Sequence, residues 1–465
     1  MERIFIDSLD EHIEETVIIK GWIDIRRDHG KLIFLDIRDM SGKIQAVVLP
    51  QHPEAKVVAE TLRSEWVIEA EGLVHKRPEK LINKDEKNGE IEIEITKIEV
   101  INSAETPPID LHTDGYETNE EARLKYRYLD LRRERLQKNI RLRSKFVDAC
   151  RQYLFANRFT EIETPLLTKA TPEGSRDFLV PSRLQPGKFY ALPQSPQQYK
   201  QLLMAAAFER YFQTARAIRD EDLRADRGFE HTQIDIEMSF VKQEDVLQLI
   251  EGMITKVVTD LGFKIKQTPF PRFTYKETME KFGADKFDMR TEKEKKEGVL
   301  AYAWVIDFPF FEKTDDGKWT FTHNPFSMPK EEHLEWHMKG ENIDKILTTQ
   351  YDIVCNGYEA GGGSIRAHKP EILRATYKNM GYTEEMITDS IGHMLEAFSF
   401  GTPPHGGIAL GVERNIMNLT GESALRESQA FPMTGKGQTS VMDAPNEATP
   451  AQLAELGISI RVKQN

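Results

Sequence analysis

The stretch IRDEDLRADRGFEHTQIDIEMSF, residues 218–240, runs a loop crowded with charge into a strand of strict alternation. Positions 219–227 hold three arginines and four acids. The segment that follows alternates Gln233, Asp235 and Glu237 with Ile234, Ile236 and Met238. Side chains alternate faces along a strand, so the apolar row can pack on helices while the polar row meets something polar. Just upstream, YFQTARAIRDE sets Gln213, Ala215, Ala217, Arg219 and Glu221 on one face. Carboxylates and guanidinium groups buried without partners are costly. The polar face is therefore wet, or holds a charged ligand, or is a structural ion-pair network, and this stretch alone leaves the choice open.

Working outward, YDIVCNGYE (351–359) and GGIALGVE (406–413) read as further strands, and SPQQYKQLLMAAAF (195–208) as a helix between strands. A helix from about 134 to 157 lines up Leu136, Ile140, Val147, Cys150 and Leu154 at helical spacing. RFTEIETPLL (158–167) closes that unit as a strand ending at Pro165. The sum is an antiparallel sheet flanked by helices, an α+β layer arrangement. Residues 16–102 differ. TVIIKGWIDIRR, KLIFLDIRD, KIQAVVL, EWVIEAEGLVHKR and EIEIEITKIEVIN are five strands rich in Ile and Val, with the helical PEAKVVAETL after the third. That is the order of an OB-fold, a small β-barrel that often binds oligonucleotides. Phe34 and Gln45, on neighbouring strands, are candidates to meet an unpaired base, although pattern alone favours Phe34 as core. SAETPPID (103–110) reads as a linker, because paired prolines suit neither helix nor sheet. The resulting division is a barrel at 1–103, a linker or hinge at 104–133, the α+β domain at 134–435 and a C-terminal extension at 436–465.

Bulk properties bound the function. A chain of 465 residues exceeds one ordinary core, and 39% hydrophobic with 30% charged residues fits a soluble globular protein. No apolar run approaches the ~18–20 residues of a membrane span, and the acidic MERIFIDSLDEHIEE has no secretory core. Cys150 and Cys355 suggest neither a zinc site nor a disulfide framework, so a reducing cytoplasm is the simplest compartment. The net charge of −13 argues against general nucleic-acid binding. Yet residues 123–145 carry ten Lys/Arg against Asp130 and Glu134, a strip that either touches phosphates or is a solvated helix face. No GxxxxGK[ST], no dinucleotide fingerprint and no HExxH occurs.

Three more segments favour a ligand over a structural network. GYEAGGGSIR (357–366) sets an acid and an arginine around three glycines, which let backbone approach a ligand closely. GGIALGVER (406–414) ends a strand in an arginine before a helical run. PQSPQQYK (193–200) places Gln197 and Lys200 about one helical turn apart.

Together these segments resemble the three signature motifs of class II aminoacyl-tRNA synthetases: the helix and strand ending at Pro165, Arg219-x-Glu221 with its loop and the QIDIE strand, and GVER with Arg414. Within that class, TPEGSRDFLVPSR, LPQSPQQYKQLLM, RDEDLRADR, NGYEAGGGSIR and TPPHGGIALGVER resemble the aspartyl-tRNA synthetases of the bacterial type over nearly the whole chain. The resemblance implies ATP-dependent activation of L-aspartate to an adenylate, then transfer to the 3′ end of tRNA-Asp. It implies a homodimer and a role for Mg2+. ATP is expected on Arg219, Glu221, Arg227, His231, Glu359 and Arg414, with Arg219, Glu221 and Arg414 catalytic. His231, where many relatives carry Phe, and Arg414 would sandwich the adenine, with Phe229 the rival aromatic. Asp222 and Asp226 are inferred to orient the loop arginines. Asp352 and Glu359 are expected as metal ligands, with Gly357 breaking the strand between them. Aspartate is expected on Glu173, Ser195, Gln197, Lys200, Gln233, Asp235, His323 and Arg366, with Arg366 forking onto the side-chain carboxylate. Relatives show His-His-Pro-Phe where this chain has His323-Asn324-Pro325-Phe326.

Two departures stand out. Relatives carry an inserted domain of about a hundred residues, and here a short charged connector, 290–303, passes straight through. The anticodon set is His29, Phe34, Gln45 and Lys80. His29 resembles relatives that also charge tRNA-Asn, whereas Lys80 resembles strict ones, so acceptance of tRNA-Asn stays open. Asparaginyl- and lysyl-tRNA synthetases are the neighbouring enzyme readings, and a non-catalytic tRNA-binding paralogue is the reading from another class.

Overall fold

The computed structural model describes residues 2–170 and 174–461, so Glu173, expected in a substrate-closing loop, lies outside the described residues. The chain divides into two units, Met1–Leu111 and His112–Asn465.

In the first unit β1 (Thr16–Asp28), β2 (Ile33–Arg38), β3 (Lys43–Val48), β4 (Val67–Lys76) and β5 (Ile91–Asn102) close into a barrel in the order β1-β2-β3-β5-β4. Helix α1 (Pro53–Thr61) follows β3, with Pro53 at its first turn, where the missing N–H costs nothing. This is the expected OB-fold. Strict alternation does the sorting: Ile33, Leu35 and Ile37 are fully buried, while Phe34, Asp36 and Arg38 face outward, half-buried. Phe34 is therefore not core, contrary to what pattern alone favours. It sits opposite Val47 and Arg27, with the His29 ring edge-on at 5.6 Å.

In the second unit α2 (Glu134–Ala156) leads to β6 (Thr160–Glu161), β7 (Arg210–Ile218), β8 (Glu230–Ser239), β9 (Arg272–Thr274), β10 (Tyr302–Ile306), β11 (Gln350–Cys355), β12 (Tyr358–Ile365) and β13 (His405–Gly411). They form one eight-stranded sheet in the order β9-β10-β11-β12-β13-β8-β7-β6, antiparallel except at its two edge pairs. The apolar row of β8, Ile234, Ile236 and Met238, joins Phe146, Cys150 and Leu154 of α2 and Val246, Ile250 and Ile254 of α3 (Gln243–Asp260) in the main core. The other face of β8 is left to its polar row. Cys150 and Cys355 are buried and free, and burial pushes both thiols up.

The basic strip is only in part a solvated face. Arg127 and Arg133 lie 2.7 Å from a fully buried Asp130, with Arg123 at 3.1 Å. Glu427 takes Arg123 and Arg135 at 2.8 Å. Burial pushes the Asp130 carboxyl up, and the arginines more than offset it, holding it below its usual range. Lys125, Lys138, Arg141 and Lys145 alone behave as a solvated face. From His112 onward, within the expected linker at 104–133, the chain belongs to the second unit.

Candidate active site

The strand order decides the site. With β12, β13, β8 and β7 adjacent, Gly361–Gly363, Ala409, Gln233 and Asp235, and the end of β7 at Arg219 form one floor beneath a cavity of about 430 Å3. Ser195, Gln197, Lys200, Arg219, Glu221, Arg227, His231, Gln233, Asp235, His323, Asp352, Glu359, Arg366 and Arg414 all line it. Every catalytic-domain residue expected at the site is thus brought together except Glu173, which is not described.

One end of the floor is open and rich in arginine. Arg219 donates from Nε to the Gln194 carbonyl at 3.2 Å. Glu221 accepts from the Ser175 hydroxyl, and Arg227 reaches it at 3.9 Å. Arg414, on the first turn of the helix Val412–Thr420, lies 3.7 Å from Glu359 and 3.5 Å from Asp226. Asp226 therefore steadies Arg414 and not an arginine of its own loop. His231 lies between these cations. Burial first, then the charges of Arg219, Arg414 and Arg216, lower its pKa to about 3, so the ring is neutral at pH 7. Phe229, the rival aromatic, packs edge-on against Phe178 at 5.3 Å and lines a separate cavity with Phe431.

The depressed His231 has a consequence for stability. Between pH 6.5 and about 3 the unfolded chain binds a proton that the folded chain refuses. The contribution is complete above the unfolded pKa and is lost as pH falls through that window. His231→Phe is expected to lose about 1–2 kcal/mol less stability than the parent between pH 7 and pH 5 in denaturant titrations. Equal losses in the two proteins would show that His231 is not held neutral.

The other end is closed and nearly dry. Lys200 Nζ lies 2.8 Å from Asp235 Oδ1 and 3.3 Å from Glu237 Oε2, and all three side chains are at most 1% exposed. Arg366 donates from Nε to Glu237 Oε1 at 3.0 Å, from Nη2 to Glu237 Oε2 at 3.2 Å and from Nη1 to the Ser364 hydroxyl at 2.7 Å. The sequence reading left Arg366 and Lys200 as cations awaiting a carboxylate. In the structure Glu237 already forks onto Arg366, because its place in the alternation puts it on the same face as Asp235. Burial pushes Asp235 up in spite of Lys200. Burial also acts on Glu237, but Arg366 and Lys200 outweigh it and hold that carboxyl down. Along the QIDIE strand there is a cavity at the His231 end and an ion-pair network at the Glu237 end.

Asp352 and Glu359 reach the same cavity through a hairpin. Asn356 and Gly357 turn the chain with φ of 53° and 94°, the positive values that a tight two-residue turn requires, and Val354 pairs with Glu359. Gly362 lies between the two acids; a Cβ there would sit 2.8 Å from Asp352 Oδ1 and 3.5 Å from Glu359 Oε1. Asp352 Oδ1 accepts from Gln350, while Oδ2 has no hydrogen-bond donor among the described residues and meets His323 at 3.4 Å. Donor atoms of Asp285, His323 and Asp352 lie within 4.8 Å of one another. Glu359 is not in that cluster. It is paired instead with Lys286 at 3.2 Å, and Lys286 and Arg414 overcome burial to bring its pKa to about 2. Asp352 with Asp285 thus offers the oxygen-rich corner that a hard cation needs.

Sequence reasoning missed Glu237 as the partner of Arg366, and it missed Asp285 and Lys286 entirely. Glu237 was visible as the next polar residue of the alternation; FGADKFD carries no periodic signal. Asn324, next to His323, is spent locally: Nδ2 donates to Gln350 and Oδ1 accepts from the Phe326 N–H at 3.0 Å.

Residues 119–435 match the family described as tRNA synthetases class II (D, K and N), and residues 17–101 match the OB-fold nucleic acid binding domain. The aspartate–tRNA ligase of Staphylococcus epidermidis is 38% identical over 577 aligned positions, covering 97% of this chain and 98% of the relative. The chain belongs to the aspartate–tRNA ligase family. The Macrococcus caseolyticus aspartate–tRNA ligase is 36% identical and covers 98% of each chain. The 577 aligned positions exceed the 465 residues of this chain. The part of this chain that aligns, 97%, fills only about 450 of those positions, so the Staphylococcus epidermidis relative carries about 125 that this chain lacks, the size of a compact domain. Among solved structures, asparaginyl-tRNA synthetase from Pyrococcus horikoshii complexed with asparaginyl-adenylate matches with TM-score 0.75 at 22% identity, over 93% of this chain and 98% of that one. Aspartyl tRNA synthetase from Entamoeba histolytica matches with TM-score 0.73 at 23% identity, over 93% and 91%. These two likenesses establish the fold. No helix among the described residues is long and apolar enough to cross a membrane.

Proposed function

We propose that this ligase binds ATP at the arginine-rich end of the cavity and L-aspartate at the closed end, and joins them where the two ends meet. The observation that carries the reading is the contrast along one strand. His231 and Gln233 lie under the cavity beside Arg219 and Arg414, while Asp235, two residues on, is 1% exposed against Lys200.

In the first step the α-carboxylate of aspartate attacks the α-phosphorus of ATP, and pyrophosphate leaves with the bond electrons. Two anions meet, so fixed cations aimed at the phosphate oxygens do most of the work. Arg219 holds the α-phosphate, Glu221 positions the nucleotide and Arg227 reaches the outer phosphates from the loop. The neutral His231 ring and the Arg414 guanidinium take the two faces of the adenine. The side-chain carboxylate of aspartate docks against Arg366 and Lys200, both oriented by Glu237. Asp235, Gln197, Gln233 and Ser195 receive its ammonium group, and His323 stands beside the reacting carboxylate. Mg2+, when bound, would neutralise phosphate charge; Asp352, with Asp285 beside it, would hold it. In the second step the aspartyl group passes to the 3′-terminal ribose of tRNA-Asp.

Outward-facing Phe34, Gln45 and His29, with Lys80, form the anticodon surface of the barrel. Phe34→Ala is expected to lower aminoacylation of tRNA about tenfold or more, the loss of one base stack, with aspartate-dependent pyrophosphate exchange unchanged. Equal charging by the two proteins would remove Phe34 from that surface. We place the missing domain at 290–303, where Thr291 and Glu294 cap one short helical turn, Glu292–Lys296. A cytoplasmic homodimer is the working state. The deciding experiment is aminoacylation of purified tRNA-Asp and tRNA-Asn with aspartate, asparagine and lysine. Aspartate alone should be used; charging of both tRNAs with it would establish relaxed tRNA choice. Preference for asparagine or lysine, or no charging, would end the proposal.

A further inference from the structure

We infer that His405 is a positioning residue for aspartate: through a buried chain of three hydrogen bonds it sets which end of the Gln197 side-chain amide faces the ammonium group. The inference rests on the proposed aspartate site. His405 opens β13, is fully buried and does not line the cavity.

The chain has a direction, and each link dictates the next. His405 Nδ1 lies 2.8 Å from the Pro403 carbonyl oxygen. A carbonyl only accepts, so Nδ1 carries the proton. Burial is the main influence holding the ring pKa down, to about 4, so the ring is neutral at pH 7 and Nε2 is a bare acceptor. Gln201 Nε2 approaches that atom at 3.1 Å. Turning the Gln201 amide over would set an oxygen against a lone pair in a site where both residues are fully buried. Gln201 therefore presents its NH2 to His405 and its oxygen to the other side. There Gln197 Nε2 donates to Gln201 Oε1 at 2.9 Å. Reversing Gln197 would bring oxygen against oxygen. The amide nitrogen of Gln197 is thus committed to the chain, and its Oε1 is left for the cavity that Gln197 lines.

This matters because a glutamine amide is nearly symmetric in shape. An untied Gln197 could turn a donor toward the incoming cation as easily as an acceptor. Free imidazole gives no such instruction, since its proton can sit on either nitrogen. The Pro403 carbonyl removes that freedom, and the Phe398 ring, edge-on at 5.9 Å, packs beside the imidazole. A donor facing the ammonium group would weaken aspartate binding while leaving the ATP end untouched.

Two measurements on the intact enzyme test this. Nitrogen-15 NMR of histidine-labelled protein, with His405→Gln assigning the signal, should show His405 protonated on Nδ1 alone at pH 7. A proton on Nε2 overturns the inference. Pyrophosphate exchange separates the links. Gln201→Met keeps the volume but cuts the chain, and KM for aspartate should rise about tenfold with KM for ATP within about twofold, one lost orienting hydrogen bond. Gln201→Glu can still accept from Gln197 and can take a proton-bearing His405 as donor, and should recover KM for aspartate to within about threefold of the parent. An unchanged KM in Gln201→Met, or an equal rise in both variants, overturns the inference. If the parent shows no aspartate-dependent exchange, the proposed substrate fails instead, and the NMR result still decides whether the chain has this direction.

Discussion

Arg219→Leu should lower aspartate-dependent pyrophosphate exchange by about a thousandfold and leave the fold as stable as the parent, within about 0.5 kcal/mol. Arg219 stands just past the end of β7, half-buried, with Nε pinned by the Gln194 carbonyl. Among the described residues no ion pair neutralises it, in contrast to Arg366. It is a cation fixed in place before any phosphate arrives, so its interaction with the developing charge costs no reorganisation. Removing it deletes that transition-state contact and strands no buried carboxylate. Steady-state exchange beside a thermal melt separates the two effects. Exchange within tenfold of the parent would remove Arg219 from the chemistry. A large loss of melting temperature would make it a structural residue.

Arg366→Leu should behave in the opposite way toward stability. It abolishes exchange and also destabilises the protein by about 3–5 kcal/mol, because the fully buried Glu237 loses its fork of two N–H donors. Adding Glu237→Gln removes the stranded charge. The double variant is expected to regain most of the stability and none of the exchange, since the aspartate carboxylate still lacks its guanidinium. Chemical denaturation and exchange assays on the parent, the single and the double variant give the answer. Recovered exchange in the double variant would mean that Arg366 serves only to hold Glu237. Undiminished stability in Arg366→Leu would mean that Glu237 is not charged in the folded protein.

These two arginines also show how far the sequence could be read. Both were legible as candidate site residues: Arg219 at the end of an alternating strand, Arg366 after three glycines. Their different electrostatic states were not, because the charge partner of Arg366 comes from a strand more than a hundred residues away in sequence. The barrel was legible in full, since five alternating strands and one short helix have few ways to close. Phe34 went against its composition because a period of two outweighs the hydrophobicity of one residue. The basic strip at 123–145 misled for the reverse reason. Charge runs without periodicity say nothing about burial, and Asp130, Glu422 and Glu427 drew the arginines inward.

By itself the sequence determined which side chains share a face, where turns interrupt them and which family they resemble, because period, turn chemistry and motif spacing are local properties of the chain. Only the tertiary structure decided which charges meet. The order β12-β13-β8-β7 set Glu237 on Arg366 and Lys200, the Asn356–Gly357 turn brought Asp352 and Glu359 to one cavity, and the loop at Lys286 took Glu359 for itself. Coulomb energy depends on distance through space and on burial, and neither is written along the chain.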